Sequence, residues 1–207
     1  QRASGCVLSR VPTLATEWPR LFVHRKVEIG LAAGCTAVSR DRQGNSVVPN
    51  VTFEDALRLL RVAMAGSAGG GAGVANFRDG QWEAIDHIVN QRGKVLCVQR
   101  TGWGKSMVYF VSAKLMRAQG AGVTLVISPL LALMRNQIEA AQRLGLRALT
   151  VNSTNQQNWG QVRNQLLADQ VDLLLISPER LANDEFVAGT LQPIAACIGL
   201  LVIDEAH

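Results

Sequence analysis

The stretch Val95 to Met107, VLCVQRTGWGKSM, decides how this chain is read. Val95-Leu96-Cys97-Val98 is a short, apolar, β-rich run and predicts a buried strand. The run breaks at Gln99-Arg100-Thr101-Gly102-Trp103-Gly104. From Lys105 onward, Met107, Tyr109, Phe110, Ala113 and Leu115 supply the apolar positions of a helix. Strand, glycine-bearing loop, Lys-Ser and helix in that order lay out a cradle for nucleotide phosphates. Backbone amides from Thr101 to Gly104 and at the helix start face the anion, where the positive end of the helix dipole also lies. Glycine lets the backbone come close, Lys105 reaches the β and γ phosphates, and the Ser106 hydroxyl ligates Mg²⁺. One position departs from the general pattern: Gln99 stands where a glycine is usual, five residues before Gly104.

Moving outward, the chain takes on the rhythm of an α/β protein. Upstream, FRDGQWEAIDHIV from Phe77 leads into a helix expected over Trp82 to Asn90. Downstream, strands are expected at Val123–Ile127, Leu146–Val151, Val171–Ile176 and Ile198–Ile203. Helices are expected at Leu131–Leu144 and Trp159–Ala168, with a short one from Glu179. Continuous apolar strands alternating with helices predict a parallel sheet covered on both faces. Ligands of such sheets gather beyond the carboxyl ends of the strands. Each suggestive loop here follows a strand: QRTGWGKS, ISPLLALM, ISPERL and DEAH.

The last strand runs into Asp204-Glu205-Ala206-His207 and supplies the other half of a nucleoside-triphosphatase site. An acidic group at a strand end can hold Mg²⁺ opposite Ser106, which assigns Asp204 to the metal. A second carboxylate can orient and activate the attacking water, which assigns Glu205 to that role.

Taken together, these segments resemble the first motor lobe of a superfamily 2 helicase, specifically of the RecQ-type DNA helicases. FRDGQWEAI resembles that family's motif 0, TGWGKS motif I, SPLLALMRNQ motif Ia, SPERL the motif Ib region and DEAH motif II. VNST (Val151 to Thr154) is similar to the stretch after the third strand. The likeness runs from about Phe77 to His207, and Phe53 to Met64 corresponds to the helix preceding motif 0. It implies a RecA-like α/β domain, a parallel sheet flanked by helices, incomplete at its C-terminus and preceded by an irregular N-terminal extension. It implies ATP and Mg²⁺ as cofactors, with Phe77, Arg78 and Gln81 at the base, Thr101 to Ser106 at the phosphates, and Ser106 and Asp204 at the metal. Lys105, Asp204, Glu205 and His207 become the catalytic set, His207 coupling the nucleotide site to the DNA face. Ser128, Pro129, Arg135, Asn136, Ser177 and Pro178 would face a sugar-phosphate backbone, positioning a strand without reading its sequence.

For the intact protein, the resemblance implies ATP-driven 3′ to 5′ translocation along single-stranded or tailed duplex DNA, strand separation, and work in DNA repair and recombination. An RNA helicase of the same superfamily and a non-catalytic nucleotide-dependent DNA-binding module remain alternative readings. Gln99-Arg100, Asn136 and the long glycine linker depart from the family pattern. So does Trp103, which is compatible with it provided the side chain points outward and only the N–H faces phosphate. The family's aromatic-rich loop, motif III and second RecA-like lobe with its arginine finger would follow His207. The chain alone is therefore expected to bind nucleotide weakly and hydrolyse it poorly.

Composition narrows the class. The 207 residues are 48% apolar and 18% charged, ordinary for a globular protein, with no apolar stretch long enough to span a bilayer and no signal-peptide pattern. Residue 1 is Gln, so a fragment or processed chain is expected. Cys6, Cys35, Cys97 and Cys197 lack metal-ligand spacing and read as reduced core thiols of an intracellular protein; the resemblance implies a cytoplasmic, nucleoid-associated place in a bacterium or a nuclear one in a eukaryote. Residues 1–75 carry nine Lys/Arg against five Asp/Glu; this basic leader fits a polyanion contact or a solvated tail equally. The expected organisation is an extension of unknown role over 1–50, an amphipathic helix and Gly-rich linker (Gly66–Gly73) over 51–76, and an ATP-binding domain over 77–207. Thr52 and Asp55 form a candidate capping box for that helix. His24 and His87 read as polar surface groups, Trp82 and Trp159 as packing residues. Glu179 and Arg180 fit either a local pair at a solvated helix start or a DNA contact.

Overall fold

A computed structural model of the chain describes residues 50–65, 75–129, 138–151 and 159–204, with the backbone of 7–8 and 28–30. The Gly66–Gly73 linker, the start of the helix expected from Leu131, the VNST stretch after Val151, and Arg135, Asn136, Glu205, Ala206 and His207 lie outside the described residues.

Seven strands form one sheet: β1 (Val7–Leu8), β2 (Glu28–Gly30), β3 (Val95–Leu96), β4 (Val123–Ile127), β5 (Ala148–Val151), β6 (Leu173–Ile176) and β7 (Ile198–Ile203), in the order β1-β3-β2-β7-β4-β6-β5. The β5–β6, β6–β4 and β4–β7 pairs are parallel, with Val126 opposite both Leu175 and Val202. Two-sided burial is visible residue by residue. Val126, Leu173, Leu175, Leu200 and Val202 join one core, while Leu125, Ile127, Leu174, Ile176 and Leu201 join the other. Successive side chains of a strand point to opposite faces, so continuous apolar strands need helices on both.

The first core is covered by α1 (Phe53–Met64), α2 (Gln81–Val89), α3 (Lys105–Ala118) and α4 (described over 138–143). The second is covered by α5 (Trp159–Leu167) and a run of helical turns over 178–197. The capping box of α1 is present: the Asp55 amide donates to Thr52 Oγ1 at 3.2 Å and the Thr52 amide to Asp55 Oδ2 at 3.1 Å. Asn90 ties this helix to α2, accepting from the Val51 amide at 2.8 Å and donating to the Val51 carbonyl at 2.9 Å.

Three local expectations need correction. β3 ends at Leu96, and Val98 is 62% exposed, because only two residues of this strand find ladder partners. The short helix from Glu179 is instead a chain of 3₁₀, α and π turns from Pro178 to Cys197. Pro178 starts it, Asn183 caps its first α turn by accepting from the Phe186 amide at 2.8 Å, and Pro193, lacking an N–H, follows the widened π turn at Val187–Leu191. The third concerns the N-terminal fifty residues, expected as an irregular extension with no assigned strands. They contribute β1 and β2, and β2 lies antiparallel between β3 and β7. Two antiparallel steps restore direction, so β3 and β7 point the same way and end at the same sheet edge.

At the opposite edge, the buried Asp172 carboxylate gathers the strand starts. Arg147 donates to it from its backbone amide (2.8 Å), Nε (3.0 Å) and guanidinium (2.7 Å), and Arg117 Nε donates at 2.8 Å. Burial pushes this carboxyl up, but the Arg147 hydrogen bonds and the Arg117 charge outweigh it and hold the pKa at about 2 rather than 3.8. That difference corresponds to about 2 kcal/mol of native-state stabilisation at neutral pH. The folded value lies below the unfolded one, so the contribution is complete above about pH 4 and is lost as pH falls toward 2. Urea unfolding as a function of pH checks this. Asp172→Asn is expected to lose at least about 2 kcal/mol at pH 7 and to flatten the stability slope between those two pH values. An unchanged slope would refute the assignment.

Candidate functional site

The phosphate loop leaves β3 at the sheet edge shared by the ends of β4, β6 and β7. Ladder bonds continue past those strands: the Ser128 amide donates to the Ile176 carbonyl at 3.0 Å and the Asp204 amide to the Ile127 carbonyl at 2.8 Å. Asp204 and Ser128 are thereby fixed at this edge, and both are buried.

α3 begins without a side-chain cap. Gly104 is its N-cap residue, at φ 93°, a left-handed conformation that favours glycine. No cap side chain competes for the first-turn amides, which suits an anion. The loop's carbonyls are held from behind by the turn before α2. Arg78 donates to the Gly102 carbonyl, and Gln81 Nε2 donates to the carbonyls of Trp103 at 3.0 Å and Gly104 at 3.3 Å. The other end of the Gln81 amide accepts from the Arg78 backbone N–H at 2.9 Å. The structure thus brings Arg78, Gln81, Gly102, Trp103 and Gly104 together. Lys105 Nζ folds back onto the Gln99 carbonyl at 3.0 Å, a bond that a phosphate oxygen would replace.

Trp103 differs from expectation. Its side chain is 8% exposed and belongs to the first core instead of pointing outward, and its N–H donates to the Arg100 carbonyl at 3.2 Å. Phe77 packs on the same core and edge-on to Phe53, whose ring also meets Trp82 edge-on. Thr101 and Gly102 are exposed, and Lys105 and Ser106 are partly buried.

Tyr109, read from the sequence only as an apolar helix position, has a polar task. Its hydroxyl donates to Asp204 Oδ2 at 3.2 Å, joining the phosphate-loop helix to the end of β7. Its position three residues after Ser106 on one helix face was the available signal. The chemistry of the two groups, a carboxylate on Asp204 and a hydroxyl on Ser106, is that of hard oxygen donors, which suit a divalent cation held with a triphosphate.

Of the residues expected at nucleic acid, Ser128 and Ser177 are buried while Pro129 and Pro178 are exposed. Arg180 lies over the Trp159 ring, its guanidinium carbon 5.6 Å from the centroid, and Trp159 packs edge-on to Phe186 within the second core. His87 Nδ1 pairs with Gln91 Oε1 at 2.8 Å. Among the described residues no group of three or more His, Cys, Asp or Glu is disposed to hold a metal ion, and no helix is long and apolar enough to cross a membrane.

A sheet whose β5, β6, β4 and β7 strands run parallel, the last three buried on both faces, with an uncapped glycine-loop helix start and a carboxylate at the same edge, defines a P-loop nucleotide-binding α/β domain. Residues 78–207, more than half the chain, match the DEAD/DEAH box helicase family, and the chain belongs to that family. Its relatives bear out the RecQ-type resemblance. The ATP-dependent DNA helicase RecQ of Bacillus subtilis is 39% identical over 137 residues, covering 65% of this chain and 22% of that protein. The protein of the same name from Haemophilus influenzae is 37% identical, with 65% and 21% covered. The ATP-dependent DNA helicase hus2/rqh1 of Schizosaccharomyces pombe is 35% identical, with 63% and 10% covered. The aligned part of the chain thus spans about a fifth of the length of the two bacterial relatives.

The loop geometry separates two glycines. Both Gly102 and Gly104 have positive φ, but a Cβ on Gly102 meets nothing within 4 Å, whereas one on Gly104 would lie 2.8 Å from Gln81 Nε2. Gly102→Ala is expected to cost about 1 kcal/mol of stability, and Gly104→Ala about 1–2 kcal/mol more, because the Gln81 bonds must break. Urea midpoints of the two variants provide the check; equal midpoints would contradict the clamp.

Proposed function

We propose that residues 77–207 form the ATP-binding first lobe of a RecQ-like DNA helicase, with residues 51–76 a preceding helix and linker and residues 1–50 an extension. The observation that carries this reading is the Tyr109–Asp204 bond, which sets a buried carboxylate against the helix that follows the phosphate loop. In this reading Lys105 and the first-turn amides of α3 hold the triphosphate. Ser106 and Asp204 hold Mg²⁺, which when bound neutralises charge developing on the phosphates. Glu205 orients the attacking water, and His207 relays the state of the site to the nucleic-acid face. Arg78 and Gln81 read the base, with Phe77 beside them. Ser128 and Pro129, which follow β4, and Ser177 and Pro178, which follow β6, meet the sugar-phosphate backbone of single-stranded or tailed duplex DNA, together with Arg135 and Asn136.

The names of the RecQ relatives support DNA as the substrate. A second RecA-like lobe supplies the arginine that completes the motor, and the protein works inside the cell, where ATP and chromosomal DNA are found.

ATP turnover by the intact protein, second lobe included, provides the test, measured alone, with single-stranded DNA and with single-stranded RNA. DNA is expected to stimulate turnover at least about tenfold, and Lys105→Ala to abolish it while DNA binding persists. Equal or greater stimulation by RNA would move the chain to the RNA branch of the family. Loss of neither turnover nor nucleotide binding in the variant would refute the site.

A further inference from the structure

The phosphate loop carries one large side chain that nothing in the nucleotide reading uses. A loop that offers N–H groups to an anion gains nothing from an indole, yet Trp103 is 8% exposed and sits in the first core, in the same cluster as Ala84, Ile85 and Tyr109. Burying so large a ring at this point fixes it firmly. The ring also has a specific neighbour. A Cβ built on Gly80 would lie 3.8 Å from Trp103 Cζ2, ordinary van der Waals contact, so the indole lies against the turn that opens α2. Gly80 is the N-cap residue of that helix, at φ 83°, and the next residue is Gln81. Trp103 is therefore tied to α2 twice, through its carbonyl to Gln81 Nε2 and through its indole, which lies near Gly80 and in the core shared with Ala84 and Ile85.

The two contacts respond differently to a ligand. Both hydrogen-bonding ends of Gln81 are engaged with the loop and with Arg78. To read a base edge, the Gln81 amide must exchange at least one of these bonds. The packing of the indole in the core beside α2 involves neither end of that amide, so the exchange does not require it to break.

We propose that Trp103 is a positioning residue that locks the base-reading turn, residues 77–81, to the phosphate loop, so that recognition of adenine by Gln81 is transmitted to the triphosphate. This rests on the ATP-binding reading above and adds the means by which base identity reaches the phosphates. A guanine nucleotide, which does not match the Gln81 amide, gains nothing from the lock.

The experiment is equilibrium binding of ATP, GTP and inorganic tripolyphosphate, each with Mg²⁺, to the wild type, Trp103→Ala, Trp103→Phe, Gln81→Ala and the Gln81→Ala/Trp103→Ala double variant. Circular dichroism at the assay temperature confirms that each is folded. Trp103→Ala is expected to weaken ATP about tenfold while GTP and tripolyphosphate change less than about twofold, and Trp103→Phe is expected to restore most of the loss. The double variant is expected to bind ATP no more weakly than the worse single variant, the signature of two groups acting through one path. Equal weakening of all three ligands by Trp103→Ala, or additive losses in the double variant, would overturn the proposal and leave Trp103 a core residue only. Absence of ATP binding by the wild type would overturn the underlying nucleotide reading and the proposal with it.

Discussion

A backbone segment that presents its amides to an anion has to dispose of its carbonyls. Here the carbonyls of Gly102, Trp103 and Gly104 accept hydrogen bonds from behind, from Arg78 and Gln81, two side chains of one short turn. Of the three, the Trp103 carbonyl makes a buried bond, and leaving it unpaired would cost on the order of 1–3 kcal/mol, so this clamp helps the loop stand open in front. The remaining features of the site follow from it. α3 can begin without a cap, Gly104 can adopt a conformation closed to other residues, and Gln81 can be buried at 3% exposure with its amide satisfied.

The sheet supplies the second constraint. Strands buried on both faces hold their register tightly, because a one-residue slip would exchange the two cores. Leu175, Val126 and Val202 form one row across the parallel strands, and Leu174, Leu125 and Leu201 the next. That register carries Asp204 to the strand-end edge and delivers its carboxylate to Tyr109. Asp172 anchors the other edge, so a charge cluster that never approaches the site keeps the strands aligned beneath it.

Much of this was legible in the sequence, for local reasons. VTLVI, LLLI and IGLLVI are apolar without alternation, which only two-sided burial explains, and Thr52 with Asp55 announces a helix start that forms as written. Lys105–Ala118 and the Asp204 position follow from motif spacing. What escaped depends on contacts distant in sequence. Glu28-Ile29-Gly30 has no periodicity of its own and is strand only because two neighbours bracket it. The burial of Trp103 rests on a core it shares with Ala84 and Ile85 of α2, and the role of the Tyr109 hydroxyl on an acid ninety-five positions later. The widened turn before Gln192 depends on a missing N–H at Pro193, which propensity alone does not place.

The most direct test of the account is amide hydrogen exchange with and without saturating Mg-ATP. The account predicts that peptides spanning the 77–81 turn and the 101–106 loop gain protection together, since the clamp makes them one unit. Protection at neither segment under saturating ATP, or at the loop with the turn unchanged, would contradict it.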